Sequence, residues 1–169
     1  MSRPHLGGDP EVHNAIQDWF HKLQDSPGLR ADLRRCDTLD EVYFCQGYWD
    51  LRNAIRNARN HGLNDSQGEG IAALAGVLAI CREWHFGDES MGHAFAKPNN
   101  GSGLSALRFR RLLTHKHLGD LFTPLRRAIR AIKYQFPGKA LAASLFYWKE
   151  PMRKQWAMDY YNHLNESKN

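Results

Sequence analysis

The sequence predicts an all-α protein, a bilobed helical bundle with a basic surface and no sheet. Apolar residues recur at spacings of three and four in several long stretches, which is the period of one face of an α-helix. β-Branched residues are sparse, and no stretch alternates apolar and polar residues over six or more positions, as a half-buried strand would. Hydrophobic residues make up 42% of the 169-residue chain, which is typical of a globular protein.

The N-terminal part of the chain predicts two helices. Asp9 is placed to cap the first helix, with a proline directly after it in the first helical position. The Ser-Pro-Gly segment at 26–28 ends that helix, and a short second helix, LRADLRRC, follows. This second helix brings Arg30, Arg34 and Arg35 onto one small surface.

The middle of the chain predicts one helix or more with a basic edge. Its inward face is expected to hold Val42, Phe44, Tyr48, Leu51, Ile55 and Ala58. Arg52 and Arg56, four residues apart, form a stripe beside that face.

A nearly apolar helix follows and is predicted to be the central core helix. Ser66 and Glu69 have the spacing of a capping box, and we expect them to start this helix, which runs to Trp84. Residues 86–104 show no clear period and are rich in glycine and asparagine, which predicts a long loop. We place the division between an N-terminal lobe, 1–100, and a C-terminal lobe, 101–169, near the end of that loop.

The segment 105–136 predicts a helical hairpin with a strong excess of positive charge. Between residues 105 and 133 there is a single acid, Asp120, against eight basic residues: Arg108, Arg110, Arg111, Lys116, Arg126, Arg127, Arg130 and Lys133. Like charges at helical spacing repel each other. A fold that keeps such a cluster without nearby acids is expected to use it for a polyanion. A last helix, entered near Pro151, carries Arg153 and Lys154 at its outer start.

Composition argues against several function classes. The three cysteines form no C-x-x-C motif, the histidine pairs lack metal-site spacing, and we expect neither a metal nor a cofactor. The first ten residues lack the apolar segment of a signal peptide, and the longest nearly apolar run, 71–81, is too short to span a membrane. We therefore expect a cytoplasmic protein without membrane contact, and not an enzyme.

The basic helices leave several functions open. Arginine matches phosphate geometry, so backbone contact with nucleic acid is the simplest interpretation. A sequence-specific helix-turn-helix regulator using the 105–134 hairpin is the main alternative, although that hairpin lacks the Asn, Gln and Ser set that reads base edges. A small nuclease relying on Asp88 or Glu89, and a helical module that binds acidic proteins, are further alternatives.

The ordered motifs resemble a known family. LRADLRRC, SALRFRRLL, LFTPLRRAIRAI and LFYWKEPMRKQWAMDYY, in that order, are similar to the CasB family, the small subunit of the type I-E CRISPR surveillance complex Cascade. The likeness is best from about residue 101 to 164 and over 30–35.

The resemblance implies a non-catalytic Cascade subunit that sits beside a second copy of itself, against the other subunits and their crRNA. It implies contact with the backbones of the target and displaced DNA strands and a role in stabilising the R-loop. Matched residue by residue, the resemblance supplies Arg34, Arg35, Arg108, Arg110, Arg111, Arg126, Arg127, Arg153 and Lys154 as nucleic-acid contacts. The charge pattern adds Arg30, Arg52, Arg56, Arg130 and Lys133.

Overall fold

The computed structural model describes residues 6–59, 62–97 and 103–167. Over these ranges the chain forms a short 3₁₀ turn, Leu6–Gly8, and ten α-helices with no strand, which confirms the all-α prediction. The helices are α1 Pro10–Gln24, α2 Pro27–Arg34, α3 Leu39–Val42, α4 Gln46–Arg59, α5 Asp65–Leu78, α6 Met91–Ala96, α7 Ala106–Leu113, α8 Leu118–Ala131, α9 Gly138–Phe146 and α10 Glu150–Ser167.

Helix α5 lies at the centre, as its apolar sequence predicted. Every residue from Gly70 to Leu78 is buried. Helices α3, α4, α8 and α9 all pack against α5, and α1 packs against α4. Glycine makes the close contact with α9 possible, because a Cβ on Gly70 would lie 2.6 Å from the carbonyl oxygen of Leu145 in α9.

The C-terminal helices form a second layer that continues the same core. Helix α10 packs along α6, and α7 contacts both α8 and α10. Trp156 of α10 is buried and donates its indole N–H to Ser144 Oγ at 2.9 Å. Helices from both sides of residue 100 thus contact each other, and the division into two lobes stays a prediction.

Three local predictions are corrected by the structure. Helix α5 is capped by Asn64, whose side chain and that of Gln67 form the reciprocal capping box, two residues earlier than the predicted Ser66 and Glu69. The predicted loop contains helix α6, which Ser90 caps, while residues 98–102 of that loop lie outside the described residues. Phe44, predicted to face inward, is 90% exposed because the chain turns between α3 and α4 and shifts the helical phase.

Candidate nucleic-acid interface

A groove between α7 and α8 brings three arginines together. Arg108 and Arg111 of α7 and Arg127 of α8 line a space of about 280 Å³ whose floor includes Leu112 and Ala128. Ser105 caps the first turn of α7, and Phe109 of this helix is fully buried in the core. These two contacts set the orientation in which α7 presents Arg108 and Arg111 to the groove. All three arginines are exposed.

A second basic groove lies where α2 meets the chain after α5 and the chain after α8. Arg30, Arg34, Arg82 and Lys133 line about 200 Å³, together with Tyr134 and one acid, Glu83. Lys133 and Tyr134 both have positive φ angles, 56° and 61°, so α8 ends in two consecutive left-handed residues. This conformation is uncommon outside glycine. It turns the chain sharply at the end of α8 and leaves both side chains exposed at the groove.

Helix α8 connects the two grooves. Arg127 and Arg130 are one turn apart on its outer surface, a spacing that puts their Cβ atoms roughly 5–6 Å from each other. Arg130 is close enough to Cys81, three residues beyond α5, for its charge to act on that thiol, and Arg30 of the second groove donates to the Cys81 carbonyl oxygen. Arg130 is thus on the same helix as Arg127 of the first groove and near Arg30 of the second. We name the resulting surface the cationic strip and define it as Arg30, Arg34, Arg82, Arg108, Arg111, Arg127, Arg130 and Lys133.

The structure contradicts the prediction that Arg126 contacts nucleic acid. Its side chain is 6% exposed, and its guanidinium donates to Cys36 O at 2.5 Å and to Arg34 O at 2.9 Å. These carbonyls belong to the end of α2, where helical hydrogen bonding runs out. Burial lowers the pKa of Arg126, and the neighbouring charge of Arg130 lowers it further. Arg126 therefore joins α8 to α2 and is not available to a ligand.

Two further predicted contacts also bind helix ends. Arg153 is half-buried and donates to Leu113 O, the last carbonyl of α7, at 2.8 Å. Arg30 donates one N–H to Cys81 O at 3.4 Å, and burial followed by the charges of Arg34 and Arg82 lowers the pKa of its guanidinium. Positive side chains at helix C-termini are favoured by the helix dipole. Arg153 is thereby tied to the fold, whereas Arg30 still lines the second groove.

The remaining predicted contacts lie off the strip. Arg52 donates to Tyr48 Oη at 3.1 Å and lies over the indole ring of Trp49, and Arg56 is exposed one turn further along α4. Arg110 is rotated about 200° from Arg108 on α7, which places it on the opposite side of that helix.

Arg35 and Lys154 each form an ion pair within their own helical segment. Arg35 reaches Asp32 at 3.6 Å, and Lys154 reaches Glu150 at 2.9 Å, both on exposed surface. The hydrogen bond from Lys154, together with the positive charge of Lys154, lowers the pKa of the Glu150 carboxyl.

Arg82 and Tyr134 are site residues that the sequence reasoning missed. Arg82 lies in the CREW segment, four residues after α5 ends at Leu78; because the sequence predicted a core helix running to Trp84, nothing indicated that Arg82 would lie beyond the helix. Tyr134 lies at the end of the predicted hairpin and was not among the predicted contacts, and its left-handed backbone carried no sequence signal because neither neighbour is glycine or asparagine.

Groups suited to chemistry are scarce around the strip. Within the described parts of the chain, no cluster of three or more His, Cys, Asp or Glu side chains is arranged to hold a metal ion. The thiols of Cys36 and Cys45 lie 3.5 Å apart, and burial raises the pKa of Cys36 to about 12. Burial likewise raises the pKa of Cys81 to about 12.

Two histidines have a packing role: His93 of α6 and His163 of α10 stack with ring centres 3.8 Å apart. In the described ranges, no helix combines the length and apolar character needed to cross a membrane.

Comparison with known proteins gives the same architecture. A chain from the crystal structure of E. coli Cascade bound to a PAM-containing double-stranded DNA target superposes with a TM-score of 0.71 at 17% sequence identity, over 89% of this chain and 96% of that one. At this identity the match shows a shared fold. No curated protein sequence matches. Residues 29–161, most of the chain, match the family described as CRISPR-associated protein Cse2. The chain therefore belongs to the Cse2 family, the CasB small subunits of type I-E Cascade.

Proposed function

We propose that this chain is a non-catalytic subunit of type I-E Cascade that binds the DNA backbone along the cationic strip, without sequence preference, and stabilises the R-loop during antiviral defence. Its partners in this role are the other Cascade subunits with their crRNA, a second copy of the chain, and the target and displaced DNA strands. The observation that supports the proposal is that arginines of three helices, α2, α7 and α8, line two basic grooves, with α8 and the residues just after it contributing to both.

The residue type of the strip suits phosphate binding. A guanidinium group presents a planar fork of N–H donors that matches two phosphate oxygens, and it stays charged at any physiological pH. Seven of the eight strip residues are arginines by the definition above, and neutralising phosphates with such groups releases counterions. Binding along the strip is therefore expected to weaken steeply with salt.

The position of the strip on rigid helices supports a holding role. Exchanging a DNA duplex for an RNA–DNA heteroduplex is nearly balanced in free energy, and protein contacts to the backbone help to tip it. A subunit that binds the opened strands and not the closed duplex stabilises the open state by mass action. The strip supplies donors for this purpose and no group that exchanges protons near neutral pH.

The outer surface of α8 favours backbone contact over base reading. Its exposed positions are Gly119, Asp120, Arg127 and Arg130, with no Asn, Gln or Ser among them. Base-edge recognition by a helix in the major groove relies on such side chains at several successive positions. A footprint on a defined palindrome would nevertheless favour the helix-turn-helix alternative.

The test uses reconstituted Cascade carrying crRNA. Replacing Arg111, Arg127 and Arg130 by glutamate is expected to shorten the lifetime of the R-loop at least tenfold, since each lost phosphate contact weakens binding and each new carboxylate repels the strand. A matched triple reversal of Arg56, Arg110 and Lys154, exposed but off the strip, should change the lifetime less than about threefold. Equal effects of the two triples, on complexes of equal composition, would refute the proposal.

A further inference from the structure

The corner between α3 and α4 exposes aromatic surface that the fold does not use. Phe44 is 90% exposed, the largest exposure among the described large hydrophobic side chains, and Trp49 is 42% exposed. The two belong to one patch, because the Trp49 indole donates its N–H to the carbonyl oxygen of Tyr43 at 2.8 Å, next to the Phe44 peptide. We name this patch, Tyr43, Phe44 and Trp49, the aromatic corner.

The aromatic corner is held rigidly. The backbone N–H of Phe44 donates to Glu41 O at 3.1 Å, and that of Cys45 donates to Val42 O at 3.0 Å, so the turn continues the hydrogen bonding of α3. Tyr43 and Trp49 each pack an edge or face against the buried ring of Tyr48, with ring centres 5.0 and 4.9 Å away. A phenylalanine with only two side-chain torsions on a hydrogen-bonded backbone has little conformational entropy to lose on binding, which suits an anchor residue.

Three exposed acids, Asp37, Asp40 and Glu41, lie in the segment just before Phe44, while the guanidinium of Arg52 lies over the Trp49 ring. Asp40 and Glu41 precede Phe44 by four and three residues on the same helical turn, and both are exposed. Asp37 is exposed at the start of α3 and receives support from Glu41, which accepts its backbone N–H at 2.7 Å. An apolar centre with a carboxylate rim repels a phosphate backbone and attracts a protein surface with basic side chains.

We propose that the aromatic corner is the anchor by which this subunit docks on another protein subunit of Cascade, inserting Phe44 into an apolar pocket rimmed by lysine or arginine. This inference rests on the proposed function, since it takes Cascade as the assembly. The corner adjoins the strip: Thr123 of α8 donates to Asp37 O at 3.0 Å, and Cys45 lies 3.5 Å from Cys36 at the end of α2. Docking at the corner would therefore fix the orientation of the strip toward the DNA.

The experiment measures association of the subunit with purified crRNA-loaded Cascade of the same organism that lacks it. We expect Phe44→Ala to weaken this association at least about tenfold, in the range of an interface anchor. Phe86→Ala is the matched control, because Phe86 is 76% exposed in the connection between α5 and α6, and it should leave association unchanged within about twofold. Equal losses for the two variants would overturn the proposal.

Two further measurements distinguish protein docking at the aromatic corner from DNA binding. Asp40→Asn should weaken association at low salt and reduce its salt dependence, because it removes a carboxylate from the rim. Single-stranded DNA binding by the free Phe44→Ala subunit should equal wild type, even if the strip itself proved not to bind DNA. If Phe44→Ala lost DNA affinity and kept normal assembly, the corner would be a base-stacking platform and the docking proposal would be wrong.

Discussion

Arg126 and Arg127 are adjacent arginines with opposite roles, and substituting each by methionine tests the account sharply. Arg126 makes two hydrogen bonds to carbonyls at the end of α2 and lies over the ring of Phe122, with its guanidinium carbon 5.0 Å from the ring centre. Hydrogen bonds from a charged donor contribute roughly 1.5–3 kcal/mol each. The cation–π contact adds about 0.5–1 kcal/mol.

Desolvation and charge repulsion reduce the net stabilisation that Arg126 provides. Arg126 is desolvated, and the charges of Arg130 and Arg34 repel it. We therefore expect Arg126→Met to lower the free energy of unfolding by about 2–4 kcal/mol, since the two carbonyls lose their donors. For a domain of this size the unfolding temperature should fall by roughly 5–15 °C.

Thermal unfolding followed by circular dichroism gives the first measurement, and single-stranded DNA binding at low salt gives the second. Arg127→Met removes the same charge from an exposed position, so its unfolding free energy should stay within about 0.5 kcal/mol of wild type while its DNA affinity falls. Unchanged stability of Arg126→Met, or equal losses of DNA affinity in both variants without any loss of stability, would contradict these two roles.

Two other predictions concern the core. Because burial raises the pKa of Cys36 and Cys81 to about 12, both thiols stay protonated at pH 8, and brief treatment with iodoacetamide should label Cys45 alone; mass spectrometry showing equal labelling of all three would contradict the buried assignments. Gly70→Ala should lower the free energy of unfolding by about 1–3 kcal/mol in a denaturant titration, since its Cβ would meet Leu145 O at 2.6 Å, and an unchanged midpoint would show that α5 and α9 are less closely packed.

Most of the helices could be predicted from the local sequence pattern. Helices α1, α5 and α8 follow from apolar periodicity and from caps such as Asp9, whose side chain accepts the N–H of Glu11 at 3.0 Å. The α3–α4 corner was mispredicted because Phe44 keeps helical spacing to Tyr48 across a turn that breaks the helix. Periodicity assumes one continuous helix, and no residue in that turn marks the break.

The candidate site was less accessible to sequence reasoning, for a physical reason. Arg126 and Arg130 occupy equivalent positions one turn apart on α8, yet one is buried and the other exposed. The difference is made by the end of α2, which contacts Arg126 from 90 residues away in the chain. Arg82 joined Arg30 and Lys133 through the same kind of long-range packing. The spacing of residues along one helix does not show which other parts of the chain pack against that helix.

The central claim is that α2, α7 and α8 form one surface along which a DNA strand lies. Its most direct test is the slope of log affinity against log salt concentration for the subunit binding single-stranded DNA. Replacing Arg111, Arg127 and Arg130 by glutamine should reduce the magnitude of that slope by about 2, since each phosphate contact contributes roughly 0.7. The same change at Arg56, Arg110 and Lys154 should leave the slope within about 0.5 of wild type. If the off-strip triple reduced the slope as much as the strip triple, DNA binding would follow total charge, and the strip would have no special role.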